Sequence, residues 1–188
     1  MKTRLGILIA ALAAVAFNAQ AASAATSCGY SGSPVFQPWS DVSLYVLPTG
    51  AGFESGSSGW SWVNKAKVIS GDSNPLLGGG GSHAVEIPAT GAAKSPWLCV
   101  DATTPSMRFF LRRTSGTGNL TVTATLSGSK VQTQVATFTG SGMWAPSASV
   151  VFPDWGLTGS LSARFVFAAD AGSTYRIDDV YIDPWHCC

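Results

Sequence analysis

The sequence predicts an all-β fold, an antiparallel β-sandwich of jelly-roll type. Three observations lead to this prediction. No long segment repeats its apolar residues with the 3.6-residue period of a helix. Several segments instead alternate apolar and polar residues, which is the pattern of a half-buried strand. Runs rich in Gly and Ser separate these segments, and many short strands at such spacing are typical of β-sandwiches.

Two segments show the alternation most clearly. In residues 120–126 (LTVTATL) the apolar side chains alternate with threonines, and in residues 161–168 (LSARFVFA) Phe165 and Phe167 share a face. Turn-forming runs such as residues 78–81 (GGGG) separate the predicted strands. The other predicted strands lie near Gly52–Glu54, Trp60–Val63, Lys67–Ile69, Ala84–Ile87, Ser95–Val100, Met107–Arg112, Val131–Phe138, Ala148–Phe152 and Tyr175–Asp183.

The first residues are predicted to be a secretory signal peptide rather than part of the fold. Lys2 and Arg4 precede a short apolar run, and Ala22-Ser23-Ala24 is a small-residue cleavage signal. The apolar run is too short for a comfortable membrane span. The predicted layout is a signal peptide at residues 1–24, a Pro- and Ser-rich N-terminal wrap at 25–50 and a jelly-roll domain at 51–188.

Charge narrows the choice of partners. Removal of Lys2 and Arg4 with the leader leaves nine basic and ten acidic residues, a formal net charge of −1. Such a balance does not favour nucleic acid or an anionic membrane as a partner. We therefore expect a secreted, extracellular protein that does not insert into a membrane once the signal peptide is removed.

Four cysteines lie in this exported and therefore oxidising context: Cys28, Cys99, Cys187 and Cys188. Four cysteines allow three pairings, and spacing alone does not choose among them. A Cys28–Cys99 bridge would tie the N-terminal wrap to the sheet. Cys187 and Cys188 would then form a vicinal bridge or link to other chains, unless one of them replaces Cys99 as the partner of Cys28.

The predicted last strand, residues 176–183 (RIDDVYID), carries three carboxylates. Strict alternation puts Asp178 on one face and Asp179 and Asp183 on the other, so an acid points inward whichever face is buried. A buried carboxylate without a partner costs several kcal/mol. This segment therefore needs a compensating group.

A calcium ion is the compensating group that we predict. The first and last strands of such a jelly roll are neighbours, which brings Glu54 towards Asp178 or Asp179. Carboxylates at one place repel each other unless a cation joins them, and Ca²⁺ takes about six to eight oxygen ligands. Alternatively, these acids are solvated or are held by arginines or backbone N–H groups.

Aromatic and arginine residues are the candidates for ligand binding. Trp60 and Trp144 stand at strand starts and are predicted to pack inside. Sugars stack on exposed indole rings, and Trp62, Trp97 and Trp155 are predicted to be exposed.

The strand MRFFLRR (107–113) offers a second set of binding candidates. Alternation places Arg108, Phe110 and Arg112 on one face, where they would line a concave sheet and hold a polar or anionic glycan. The alternative is a solvated face whose arginines pair with nearby acids.

Catalysis finds little support in the sequence. His83 follows a glycine run, and His186 stands directly before Cys187 and Cys188. Three adjacent ligands do not wrap a tetrahedral zinc ion. No Ser-His-Asp order stands in a recognisable motif, and the glycine run lacks the following Lys-Ser/Thr of a phosphate loop. The protein is therefore predicted not to be an enzyme.

Two end motifs carry a family resemblance. GFESGSSGW (52–60) and YRIDDVYIDPW (175–185) resemble the two signature ends of galactose-binding-like jelly rolls, which include carbohydrate-binding modules of bacterial glycoside hydrolases. The resemblance implies a structural calcium ion held by Glu54 together with Asp178 or Asp179.

More narrowly, the mature chain resembles an uncharacterised family of secreted bacterial proteins, in segments such as PWSDVSLYVLPTGAGFESG (38–56) and SMRFFLRR (106–113). Within that family Cys28 and Cys99 recur as a pair, which implies a disulfide between them.

The sequence thus predicts a secreted, non-catalytic carbohydrate-binding-like protein, with its ligand on a concave sheet face or a loop-rich edge. The alternative is a structural or interaction protein of the cell envelope without a sugar ligand. That protein would be linked into oligomers by disulfides through Cys187 or Cys188.

Overall fold

A computed structural model of the chain describes residues 28–55, 58–78, 81–102, 106–156 and 158–183. The predicted signal peptide lies outside these ranges, as do Cys187 and Cys188. Within the described ranges, none of the helical segments has the length and apolar character needed to cross a membrane.

The chain folds into two antiparallel sheets that pack face to face. The β11 sheet has the order β1-β4-β11-β7-β8, with β5 also beside β11, and the β12 sheet has the order β10-β6-β12-β3-β2, with β9 also beside β6. The predicted all-β sandwich is confirmed. The strands are β1 Ser61–Val63, β2 Lys67–Ser70, β3 His83–Ile87, β4 Ala92–Lys94, β5 Leu98–Val100, β6 Ser106–Gly116, β7 Leu120–Leu126, β8 Thr133–Phe138, β9 Ala145–Pro146, β10 Val150–Val151, β11 Leu161–Ala169 and β12 Ser173–Asp183.

Two predicted strands differ from the observed elements. Residues Gly52–Glu54 form turns rather than a strand, although the neighbouring Ala51 carbonyl accepts a hydrogen bond of 3.0 Å from the Val180 N–H. Only the second half of the predicted strand Ser95–Val100 is a strand, because β4 already ends at Lys94 and β5 begins at Leu98, beyond Pro96. Proline has no N–H to donate to a sheet, which explains the interruption.

Alternating side chains of both sheets fill the space between them. Phe109 of β6 and Phe167 of β11 are completely buried and meet edge to face, with ring centroids 5.1 Å apart. Trp60 is buried as predicted and stacks beside Trp62. The period-two pattern of β7 and β11 therefore correctly marked the inward-facing side chains.

A β-bulge in β12 changes the predicted faces of the C-terminal acids. Asp178 lies opposite Phe110 on β6, but Tyr181 lies opposite Arg108, so β12 contains one extra residue between these two pairs. The extra residue is accommodated at Asp179, which has a left-handed φ of 48°.

Asp178 and Asp183 are buried, as the prediction of an inward-facing acid requires, but neither belongs to the core between the sheets. On the two sides of the bulge, Ile177, Val180 and Ile182 occupy that core. Asp178 and Tyr181 point to the outer face of the sheet. There they lie beside Phe110 and Arg108 of β6, the residues with which they are paired.

The N-terminal segment, residues 28–50, runs from β5 of the β11 sheet to the outer face of the β12 sheet. Cys28 forms a disulfide with Cys99 of β5, with the two Cα atoms 5.6 Å apart. At the other end of the segment, Val46 and Ile182 of β12 form an antiparallel bridge. Between these anchors, Phe36 and Tyr45 pack with Phe110 and Tyr181 in a second buried cluster.

Candidate functional sites

An acidic cavity of about 390 Å³ lies where the N-terminal segment, the β2–β3 connection and the β12 bulge meet. It contains the three acids that the sequence singled out for calcium, Glu54, Asp178 and Asp179. The predicted approach of the chain ends is therefore observed. The other lining residues are Val35, Asn74, Leu77, Gly81 and Tyr181.

Backbone and amide groups already hold the two aspartates in place. The Asp178 carboxylate accepts hydrogen bonds from the backbone N–H groups of Asn74 and Asp179, each at 2.8 Å. The Asn74 side-chain amide donates to Asp179 Oδ2 at 3.2 Å. Asn74 holds both acids, although no sequence motif pointed to this residue.

Burial makes the charged form of these acids costly. Burial, together with the negative charge of Asp179, raises the pKa of Asp178 to about 8. Burial also raises the pKa of Asp179, against the hydrogen bond from Asn74. Glu54 adds repulsion to both aspartates. Among the described residues, Asp178 and Asp179 make no ion pair with a lysine or arginine. In the absence of a cation, Asp178 therefore tends to stay protonated at neutral pH.

Glu54 is turned towards the start of β3. Its carboxylate accepts hydrogen bonds from the backbone N–H groups of Ser82 and His83, each at 2.8 Å to Oε1. Although burial acts in the opposite direction, these hydrogen bonds lower the pKa of Glu54. Within the described ranges, no three Asp, Glu, His or Cys side chains are grouped so as to hold one metal ion.

Two glycines allow the carboxylates to approach the backbone. A Cβ atom on Gly52 would lie 3.1 Å from Asp179 Oδ1, and one on Gly81 would lie 2.8 Å from Glu54 Oε1. A side chain at either position would crowd the carboxylate oxygens. The cavity is therefore shaped around oxygen atoms, the ligands that a hard cation such as Ca²⁺ prefers.

The predicted open face of Arg108 and Phe110 is instead covered by the N-terminal segment. Phe110 is completely buried, and Phe36 stacks on it with ring centroids 5.3 Å apart. The Arg108 guanidinium lies 4.3 Å from the centre of the Phe36 ring and pairs with Asp41 at 2.6 Å. The prediction that these two side chains line an exposed concave face is wrong.

Arg112 belongs to a paired network on the same sheet face. It shares the Asp72 carboxylate with Arg176, and Arg176 also pairs with Glu86 at 2.7 Å. The Trp144 indole N–H donates to Asp72 at 3.2 Å. The alternative that these arginines pair with nearby acids is the arrangement observed. Asp72 was missed because it lies in a loop whose position no strand pattern predicts.

Of the three predicted surface tryptophans, only Trp97 is strongly exposed. Trp62 and Trp155 are half-buried and pack against the core, Trp62 beside Trp60 and Trp155 stacked on Phe152. Trp97 has 45% of its surface exposed. The Arg164 guanidinium lies 4.6 Å from the centre of its ring.

Trp97 and Arg164 lie on the outer face of the β11 sheet. Arg164 is paired with Thr125 of β7, and its neighbours Ala163 and Phe165 point into the core. Two residues further along β11, Val166 has the same outward orientation as Arg164. It belongs to a row of residues paired across neighbouring strands: Ser61, Lys94, Val166, Thr123 and Gln134. The face thus combines an indole ring, hydroxyl and amide groups, and two cations.

This fold is that of the carbohydrate-binding modules of glycoside hydrolases, as the resemblance of the end motifs implied. The CBM22-1–GH10 modules of endo-1,4-beta-D-xylanase 10B from Clostridium thermocellum, complexed with xylohexaose, match with a TM-score of 0.54 and 16% identity. The match covers 71% of this chain and 28% of that chain.

Two structures from Paenibacillus barcinonensis show the same likeness. Its CBM22-1 xylan-binding domain matches with a TM-score of 0.54 and 15% identity, over 73% of this chain and 94% of that domain. Its CBM22-1–CBM22-2 tandem domain matches with a TM-score of 0.55 and 16% identity, over 89% of this chain and 48% of that chain.

No protein-family model and no curated protein matches this sequence. At identities of 15 and 16%, the structural likeness concerns the fold. The narrower resemblance to the uncharacterised secreted family therefore stays a prediction.

Proposed function

We propose that this protein binds carbohydrate without catalysis, on the outer face of the β11 sheet. The observation that carries the proposal is the exposed Trp97 ring with the Arg164 guanidinium stacked on it, set in a face of threonine and glutamine side chains. The carbohydrate-binding-module fold supports it.

The two outer faces of the sandwich differ in their access to solvent. On the β12 sheet, the aromatic side chains of Phe36 and Tyr45 fill the space over Phe110 and Tyr181. On the β11 sheet, Thr123, Thr125 and Arg164 are half-exposed, and Gln134 is exposed. An extended polysaccharide therefore finds room on the β11 sheet.

The chemistry of this face suits a sugar. An indole offers a large, rigid apolar surface for the C–H face of a pyranose at low entropic cost. The hydroxyl groups of Thr123 and Thr125 and the amide of Gln134 both donate and accept hydrogen bonds, as sugar hydroxyls do. We expect Trp97 to hold the ring and the polar side chains to set its orientation.

Xylan is the first ligand to test, because structures of similar fold are described as a xylan-binding domain and as a complex with xylohexaose. We expect W97A to weaken xylo-oligosaccharide binding roughly tenfold or more, since buried aromatic anchors dominate binding energy. Isothermal titration calorimetry with xylohexaose, and affinity electrophoresis in soluble xylan, measure the effect.

W155A is the matched control for W97A, because it removes a tryptophan that stacks on Phe152 in the β10–β11 connection. We expect this variant to keep the affinity of the wild type. Loss of binding in W155A with retention in W97A would move the site to that connection. Absence of binding to xylan and to other polysaccharides would refute the proposed function.

We also propose that a structural calcium ion binds in the acidic cavity. Asp178 and Asp179 supply carboxylate oxygens, and Glu54 joins them by exchanging its hydrogen bonds with Ser82 and His83 for the ion. A calcium ion would offset the burial and the repulsion that raise the pKa of both aspartates. Its role would be to hold the N-terminal segment and the loop before β3 against β12.

Removal of calcium is expected to lower the melting temperature of the wild-type protein, and added Ca²⁺ is expected to restore it, because an ion that binds only the folded state stabilises that state. E54Q should abolish this difference, whereas D154N, which alters an exposed loop carboxylate, should retain it. Differential scanning calorimetry in chelator and in Ca²⁺ measures both. Identical wild-type melting temperatures in the two buffers would contradict the proposal.

A further inference from the structure

The β11 sheet is unusual in the sign of its charges. Its six strands contain no aspartate or glutamate, and their charged residues are Lys94 and Arg164. The strands of the β12 sheet carry acids and bases together. The face on which Trp97 lies is therefore purely cationic among its strand residues.

Arg164 differs in its partners from three of the four arginines on the β12 sheet. Arg108, Arg112 and Arg176 each pair with a carboxylate. In the described part of the chain, Arg164 makes no ion pair, and its Nε atom, like that of Arg112, is buried without a hydrogen-bond acceptor, so a ligand would meet its terminal N–H groups. A guanidinium that is half-buried and stacked on an indole has lost part of its hydration, and an anionic acceptor is the group that would complete it.

The nearest acids along the chain lie at strand ends. Asp101 follows β5 and accepts a hydrogen bond of 2.7 Å from the Cys28 N–H. Asp170 follows β11 at its far end and accepts one from the Asn119 N–H. Neither carboxylate has an ion pair with Arg164 or Lys94 among the described contacts.

We propose that this face selects an acidic polysaccharide, in which a uronic-acid carboxylate binds the Arg164 guanidinium while a neighbouring sugar ring stacks on Trp97. The inference rests on the proposed sugar-binding function and names its ligand class. Guanidinium and carboxylate are planar and form paired, charge-assisted hydrogen bonds. Lys94, on the neighbouring row of the same face, adds attraction for a polyanion.

Matched oligosaccharides separate the two proposals. The probes are a linear xylo-oligosaccharide, the same backbone carrying one glucuronic acid, and that acidic compound after reduction of its carboxyl group. We expect the wild type to bind the acidic compound roughly tenfold more tightly than the other two, a typical gain from a charge-assisted contact. The preference should decrease at high salt.

Variants at position 164 test the role of the guanidinium. R164Q should bind all three compounds with similar affinity, and R164K should recover only part of the preference, because lysine lacks the planar fork. R113Q is the control, because Arg113 also lacks a carboxylate partner but donates to the Thr139 carbonyl elsewhere on the molecule. That variant should keep the wild-type preference.

The outcomes are distinguishable. Equal binding of acidic and neutral compounds by the wild type overturns this inference and leaves the proposed function standing. A preference that persists in R164Q also overturns it, because the carboxylate then binds elsewhere. Binding to none of the three compounds, nor to polygalacturonate, overturns both. A sulfated xylan that competes better than the uronic acid would show that the face reads charge rather than carboxylate geometry, which contradicts the inference.

Discussion

In the presence of a chelator, the melting temperature is expected to fall as the pH rises from about 5 to about 8. Asp178 accounts for most of this fall, because its pKa is about 8 in the folded protein and 3.8 in a model peptide. Between these values the folded state binds a proton that the unfolded state has released. This stabilisation is fully present below the unfolded pKa and is lost as the pH rises through the folded pKa.

The expected effect is large. A separation of this size corresponds to a few kcal/mol of unfolding free energy, or on the order of 10 °C in melting temperature for a chain of this length. The raised pKa of Asp179 acts in the same direction. Glu54 and Asp41 have lowered pKa values, so their contributions are lost only at more acidic pH, outside this window.

D178N tests the assignment, because asparagine keeps the size of the side chain but does not titrate. We expect its melting temperature in chelator to change little between pH about 5 and about 8. D154N, which removes an exposed carboxylate in the β10–β11 connection, should keep the wild-type dependence of melting temperature on pH. Calorimetry in buffers matched for ionic strength measures this dependence. If the melting temperature of the wild-type protein does not fall with pH, Asp178 is ionised in the folded protein without a cost in stability.

The bulge at Asp179 is the feature of the acidic cavity that the sequence pattern did not predict. Alternation correctly identified a strand at 175–183, and the jelly-roll neighbourhood of the chain ends predicted that its acids lie near Glu54, with which they line one cavity. It failed on the faces, because a single extra residue reverses the orientation of every residue beyond it. The adjacent aspartates were a usable signal, since aspartate tolerates the left-handed backbone that a bulge requires.

Tertiary packing, and not the strand pattern, determines which of the predicted ligand-binding side chains are exposed. Alternation placed Arg108 and Phe110 outside the core, and they do lie on the outer face of β6. Their cover comes from the N-terminal segment, far away in sequence, and no local pattern predicts that contact. By contrast, Trp97 follows a proline that interrupts the strand, a local reason for an exposed position.

For Arg164, the strand pattern predicts the outward orientation but not the contact with Trp97. The alternation of residues 161–168 already places it outward, between Ala163 and Phe165. Its contact with Trp97 depends on the pairing of β5 with β11, which residue spacing does not determine. Trp97 was thus a candidate from the sequence, whereas the contribution of Arg164 required the fold.

The second large effect is expected for F36A, which we predict to lower the free energy of unfolding by about 3–5 kcal/mol, as for other buried phenylalanines. Phe36 is completely buried and stacks on Phe110. It also meets Tyr45 and Tyr181 edge to face, at 4.8 and 5.5 Å. Its removal leaves a cavity among these aromatic rings, and a decrease in melting temperature on the order of 10 °C follows.

The loss extends beyond the cavity, because Phe36 also carries the Arg108 guanidinium on its ring. Arg108 holds the segment by its ion pair with Asp41, so a loosened Phe36 exposes a buried charge pair to water. V42A, a change at a residue with 70% exposure in the same segment, should alter stability by less than about 0.5 kcal/mol.

Limited proteolysis separates local from global loss in F36A. If the N-terminal segment is the cover of the β12 sheet, cleavage between residues 28 and 50 should become faster in F36A under native conditions, while the rest of the sandwich resists the protease. The Cys28–Cys99 bridge retains the cleaved piece until it is reduced. Wild-type stability and cleavage rates in F36A would mean that the segment does not hold this face, and both faces of the sandwich would then be candidates for the polysaccharide.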